Sequence, residues 1–100
     1  KDWQAANDKT AAFLVDLVAR YMIWSEGNVT EAMIEQMAAL LHSNWVLTQV
    51  SWGKEEPGKW PQMYADGNYR DYSQLPEDQK AKDRSMVKLV LAEARRLLAA

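Results

Sequence analysis

Apolar residues fall at helical spacing in three stretches of the chain. In the first, Leu14, Leu17, Val18, Tyr21 and Met22 recur at i, i+3, i+4, i+7 and i+8, which predicts a helix from about Asn7 to Glu26. Asn7 and Asp8 are good N-cap types, and Gly27-Asn28 is a plausible stop. The second stretch opens at Asn28, which stands at capping-box spacing from Glu31, and runs to about Ser51 before Gly53 breaks it. Its Ile34, Ala38, Leu41, Trp45 and Trp52 share one side, while Met33, Met37, Leu40 and Leu47 share roughly the opposite one. A helix apolar on two sides sits between neighbours, so this one is expected at the centre. The third opens on Leu75-Pro76-Glu77-Asp78, with Pro at the first helical position and acids in the first turn. Its stripe is Val87, Val90, Leu91, Ala94, Leu97 and Leu98, closed by Arg95 and Arg96. The first turns, through Arg84, are almost wholly polar and must face solvent or a ligand.

Between Gly53 and about Gln74 the periodicity is lost. Gly53, Pro57, Gly58, Pro61 and Gly67 punctuate this stretch, yet it also carries Trp60, Tyr64, Tyr69 and Tyr72. A disordered linker would be short of aromatics, so an ordered loop pinned by those rings is expected. A loop of that length in a small domain is usually functional. With no strand pattern and no repeat, the expectation is a small all-α single domain over residues 1–100. It has three main helices and a long ordered aromatic loop before the last.

Composition narrows the function. A chain of 100 residues can bury one modest core. The lack of Cys removes disulfides and thiolate sites, and the single His42 excludes a His-rich metal cage, so no cofactor or metal is expected. A net charge of −2 gives no general attraction to duplex nucleic acid or an anionic membrane. No stretch approaches the roughly 20 apolar residues of a membrane span, and no signal peptide is visible. The expectation is therefore a soluble, cytoplasmic domain, either trimmed or a piece of something longer, since the first residue is Lys1 rather than Met. Five Trp and four Tyr stand against one Phe. Trp and Tyr carry a polar handle, which suits half-exposed pockets.

The sharpest candidate site is His42, Trp45, Gln49 and Trp52, whose spacing puts them in one sector of the second helix. An indole flanked by an imidazole and an amide offers a stacking floor with hydrogen-bonding walls, which suits a nucleobase. Apolar stripes normally mean core, so the competing reading makes Trp45 a core anchor and His42 a satisfied interfacial histidine. A second feature is cationic: Lys54, Lys59, Arg70, Lys80, Lys82 and Arg84, types that meet phosphates. Glu55, Glu56, Glu77, Asp78 and Asp83 are interleaved with them, as on an ordinary solvated face. Catalysis gets little support: there is no P-loop, no GxGxxG and no metal-ligand spacing, and Ser43 is adjacent to His42 rather than facing it. The chain reads as a non-enzyme.

The segments His42-Ser43-Asn44-Trp45-Val46-Leu47-Thr48, Trp52-Gly53, Trp60-Pro61 and Tyr72 through Arg84, with its Leu75-Pro76-Glu77-Asp78-Gln79-Lys80, resemble the RyR domain. This helical module is repeated in ryanodine receptors and occurs alone in small bacterial and phage proteins. The resemblance covers about residues 31–100. It implies a compact helical fold and, as in the receptor copies, an adenine nucleotide stacked on the Trp of H-x-x-W. That would make Trp45 the stacking residue, His42 its helical neighbour and Lys54 a phosphate-loop candidate. Gln49 stands where a receptor copy can have Arg, and Trp60 replaces a His. Two receptor copies close the site jointly, so a single copy needs a homodimer or its own loop aromatics. The expected function is non-catalytic binding of a nucleotide or nucleotide-like signalling molecule. Its candidate contacts are Trp45, His42, Gln49, Trp52, Lys54, Lys59, Trp60, Tyr72 and Arg84. In a phage or bacterial setting, this would mean sensing or sequestering a defence signal. The alternative is a protein–protein interaction module that uses the aromatic patch as its interface.

Overall fold

The computed structural model describes the backbone of residues 2–55 and 71–99, and the side chains of residues 8–48 and 71–99. In chain order the elements are α1 (Asp2–Trp24), α2 (Glu31–Glu55), a single 3-10 turn (Tyr72–Gln74) and α3 (Glu77–Ala99). The fold is all-α, with no strand among the described residues. No helix among them is long and apolar enough to cross a membrane.

The helix ends are set by local chemistry. α1 begins at Asp2, ahead of the expected cap at Asn7 and Asp8. Ala5 and Ala6 are strong helix formers, and Asn or Asp inside a helix costs well under 1 kcal/mol. At its other end the Gly27 N–H donates to the Met22 carbonyl at 2.8 Å, and the Glu26 N–H donates to Ile23 at 3.2 Å. These two bonds form a Schellman closure, with Glu26 in the left-handed conformation at φ 54° and Gly27 following at φ 84°. Glu26 carries a Cβ where glycine carries none, so Glu26→Gly is expected to raise stability by roughly 0.5–1 kcal/mol. An unchanged or lower urea midpoint, at constant slope, would contradict this.

The Asn28 N–H is taken by the Ser25 carbonyl at 3.1 Å, which places Asn28 in the turn rather than at a helix cap. Thr30 caps α2 instead. Its hydroxyl accepts from the Met33 N–H at 3.2 Å, and its carbonyl accepts from Ile34 at 3.0 Å. α2 then passes through Gly53 to Glu55, beyond the expected end at Ser51, because one glycine costs only about 1 kcal/mol in a helix. Before α3, Leu75 is extended, as a residue preceding proline must be, and the Pro76 carbonyl receives the Gln79 and Lys80 N–H groups. Pro76 thus stands just outside the helix rather than at its first position.

Tyr21 donates to Gln36 near one end of the α1–α2 pair, and Leu14 lies with Leu41 and Trp45 toward the other, so these two helices are antiparallel. Lys88 faces Glu31 and Asp83 faces His42, so α3 also runs against α2 and therefore parallel to α1. α2 touches both neighbours, but α1 and α3 also touch each other. The bundle is a triangle, not a row with α2 sandwiched in its middle. That geometry corrects the two-sided expectation. Ile34, Met37, Ala38 and Leu41 are buried, while Leu40 and Leu47 face outward, 43% and 68% exposed. The core joins these to Leu14, Leu17, Val18, Tyr72, Leu75, Val87 and Leu91. Leu97 and Leu98 continue the α3 stripe but are exposed. They lie beyond the level of Lys88, where α3 has already reached Glu31 at the start of α2.

Candidate functional site

His42 sits on the α2 face turned toward α3 and is 6% exposed, the one buried polar or charged residue among those described. Its Nδ1 lies 3.9 Å from a carboxylate oxygen of Asp83 on α3. One turn along α2, the Trp45 indole stacks on the imidazole, with ring centres 5.9 Å apart and planes inclined by 25°. The i, i+3 spacing produces this pairing directly. Trp45 is half-buried.

Tyr72 reaches the same place from the 3-10 turn. Asp71 accepts the Ser73 N–H at 3.2 Å, and this local closure turns Tyr72 inward. Its ring centre lies 6.4 Å from that of His42, and the Lys80 ammonium stands 5.6 Å from the phenol ring's centre. The hydroxyl meets Arg84 at 3.5 Å. Burial, then a hydrogen bond to the Glu35 carboxylate, pushes the Tyr72 phenol up to about 12. The Arg84 guanidinium is tied to Glu77 and, at 3.3 Å, to Glu35. The bond to Glu77 leads in holding its pKa above the ordinary arginine value.

Two cavities meet at this cluster. A polar one of about 150 Å³ is lined by His42, Trp45, Leu75, Gln79, Lys82 and Asp83. A second, about 260 Å³, is lined by Thr10, Ala11, Leu14, Leu41, Trp45, Asp83 and Met86. Trp45 and Asp83 wall both. Each alone is smaller than the roughly 300–1,000 Å³ typical of small-molecule sites. Desolvation raises the Asp83 pKa above the ordinary carboxylate value, with His42 pulling the other way. The combined space offers an aromatic plane, an ammonium, an amide and a half-withdrawn carboxylate, which is equipment for holding a planar polar molecule.

Of the candidates read from the sequence, His42 and Trp45 line a cavity together. Tyr72 and Arg84 stand beside it, where Arg84 is engaged with two carboxylates rather than presented to the cavity. The side chains of Gln49, Trp52 and Lys54, and all of Lys59 and Trp60, lie outside the described residues, as does most of the expected aromatic loop. Gln79, Lys82 and Asp83 line the polar cavity as well: in the sequence Lys82 stands among the candidate phosphate cations, while Gln79 and Asp83 are marked only as part of a polar segment facing solvent or a ligand. The signal that finds them is the phase of α3, since Asp83 is one turn ahead of buried Val87. Leu14 and Met86, on the apolar side, carry no sequence signal beyond ordinary core and surface patterns. No family model matches the chain, and neither a curated protein nor a solved structure shows significant similarity to it.

Proposed function

We propose that this chain binds a nucleotide or nucleotide-like signalling molecule by stacking its base on Trp45, without chemical turnover. The observation that carries the reading is the position of Trp45, half-buried at the seam of two adjoining cavities with Lys82, Gln79 and Asp83 around it. Base–aromatic stacking contributes about 1–3 kcal/mol, and a nearby ammonium adds attraction for phosphate. The resemblance of the His42–Trp45 and Leu75–Arg84 segments to the RyR domain points the same way. In a bacterial or phage setting, the protein would sense or sequester a defence signal. A second copy could close the open side of the site.

Calorimetric titration with mononucleotides and cyclic dinucleotides tests this. At least one member is expected to bind and raise the melting temperature. Silence across the panel overturns the reading, as does nucleotide turnover that disappears in His42→Ala. One observation favours the alternative of an interaction module. Ile23, Trp24, Leu97 and Leu98 are 79%, 72%, 61% and 76% exposed, all toward the same end of the bundle. An apolar group rich in large side chains is what a partner surface uses.

A further inference from the structure

We propose, resting on the nucleotide reading above, that Asp83 reads the edge of the base and that the site selects guanine. The base then lies against Trp45 in the apolar cavity between Leu14, Leu41 and Met86, and the sugar and phosphate leave through the adjoining polar cavity toward Lys82. Three observations lead there. Asp83 and Trp45 are the two side chains common to both cavities, so a ring stacked on the indole brings its edge within range of the carboxylate. The carboxylate is partly withdrawn from water, with 23% of its side chain exposed, and among the described residues its ion-pair partner is His42 at 3.9 Å, longer than a hydrogen bond. A carboxylate in such surroundings gains from added N–H donors. The third observation is chemical inventory: an ionised carboxylate only accepts, through two oxygens side by side.

The bases differ in what they present to such a pair. Guanine offers two adjacent donors, N1–H and the N2 amino group, which match the two oxygens. Adenine and cytosine offer one amino group next to a ring nitrogen whose lone pair would face the carboxylate. Uracil offers a single N–H between two carbonyls. Hypoxanthine keeps N1–H but lacks the amino group, which places it between guanine and adenine. The Gln79 amide and the Lys82 ammonium, both on the polar cavity, are left to meet the sugar and the phosphate. The order expected from these residues is therefore GMP, then IMP, then AMP.

The experiment is a titration of the intact protein with GMP, IMP and AMP, repeated on Asp83→Asn. The parent is expected to prefer GMP over AMP by roughly 10–100-fold, the discrimination that one good bidentate contact provides. Asp83→Asn replaces one acceptor by a donor. It is expected to lose most of the GMP affinity and bring the GMP-to-AMP ratio to near unity or below. A melt by circular dichroism at the parent's temperature or above shows that the variant is folded. Equal or tighter binding of AMP by the parent, or a GMP preference that survives Asp83→Asn, overturns the inference and leaves the nucleotide reading standing. Binding of none of the three at millimolar concentration overturns the inference as well. A cyclic dinucleotide that still binds would then preserve the broader reading, and its failure too would remove both.

Discussion

Met37→Ala is expected to lower the free energy of unfolding by about 2–5 kcal/mol. Met37 has no exposed surface and lies in the core shared by all three helices. Deleting its side chain removes buried apolar surface and leaves a void that the surrounding core fills only in part. Domains of this size have about 5–15 kcal/mol in total, so the loss takes a large share of it. Urea denaturation measures the change, with Leu40→Ala as the companion. Leu40 is as apolar but faces outward, and its change is expected to stay within about 0.5 kcal/mol beyond helix propensity. Equal effects at the two positions would refute the triangular packing. Met37 lines neither cavity, so ligand affinity per folded molecule should be unaltered.

Trp45→Ala should show the converse. Loss of the indole plane is expected to weaken nucleotide binding by about 1–3 kcal/mol. The stability loss should be smaller than the roughly 3–5 kcal/mol typical of truncating a fully buried Trp, because Trp45 is only half-buried and already borders two cavities. Trp45→Phe should retain part of the affinity, since a stacking plane remains. A Trp45→Ala protein that fails to fold would make the residue a core anchor. A folded one with undiminished affinity would remove the stacking role.

The helices were legible because each stripe is long. Leu14, Leu17 and Val18 in α1, Ile34, Ala38 and Leu41 in α2, and Val87 and Leu91 in α3 are buried at their expected positions. What the pattern could not give was how many neighbours share a face. Leu40 and Leu47 are apolar like the core, and only the triangular arrangement leaves them on its outer side. At the start of α2 two signals compete for the same residue. Asn28 is a good cap type, but the closing turn of α1 claims its N–H first. In the site, His42 and Trp45 come together because i, i+3 spacing within one helix is a local property. Asp83 and Leu14 reach them from other helices, and that meeting depends on the bundle's geometry rather than on any spacing along the chain. Arg84 illustrates the reverse: its charge suggested a phosphate, but Glu35 and Glu77 lie close enough to neutralise it.

The order in which these helices assemble follows from the connection lengths. α1 and α2 are joined by a short turn and pair through contacts close in sequence, whereas α3 meets them from far along the chain. Near contacts cost less loop entropy and form sooner, so the α1–α2 hairpin is the early unit and α3 the late arrival. Both cavities straddle that seam, with α3 supplying Asp83 to each. The pocket therefore comes into being with the final docking step, and whatever occupies it acts as a clasp on α3. A ligand at a hundred times its dissociation constant would add about 2.7 kcal/mol to holding the bundle shut. Occupancy would then be written into the lifetime of the folded chain, and its proteolysis would slow as the concentration of that ligand rises.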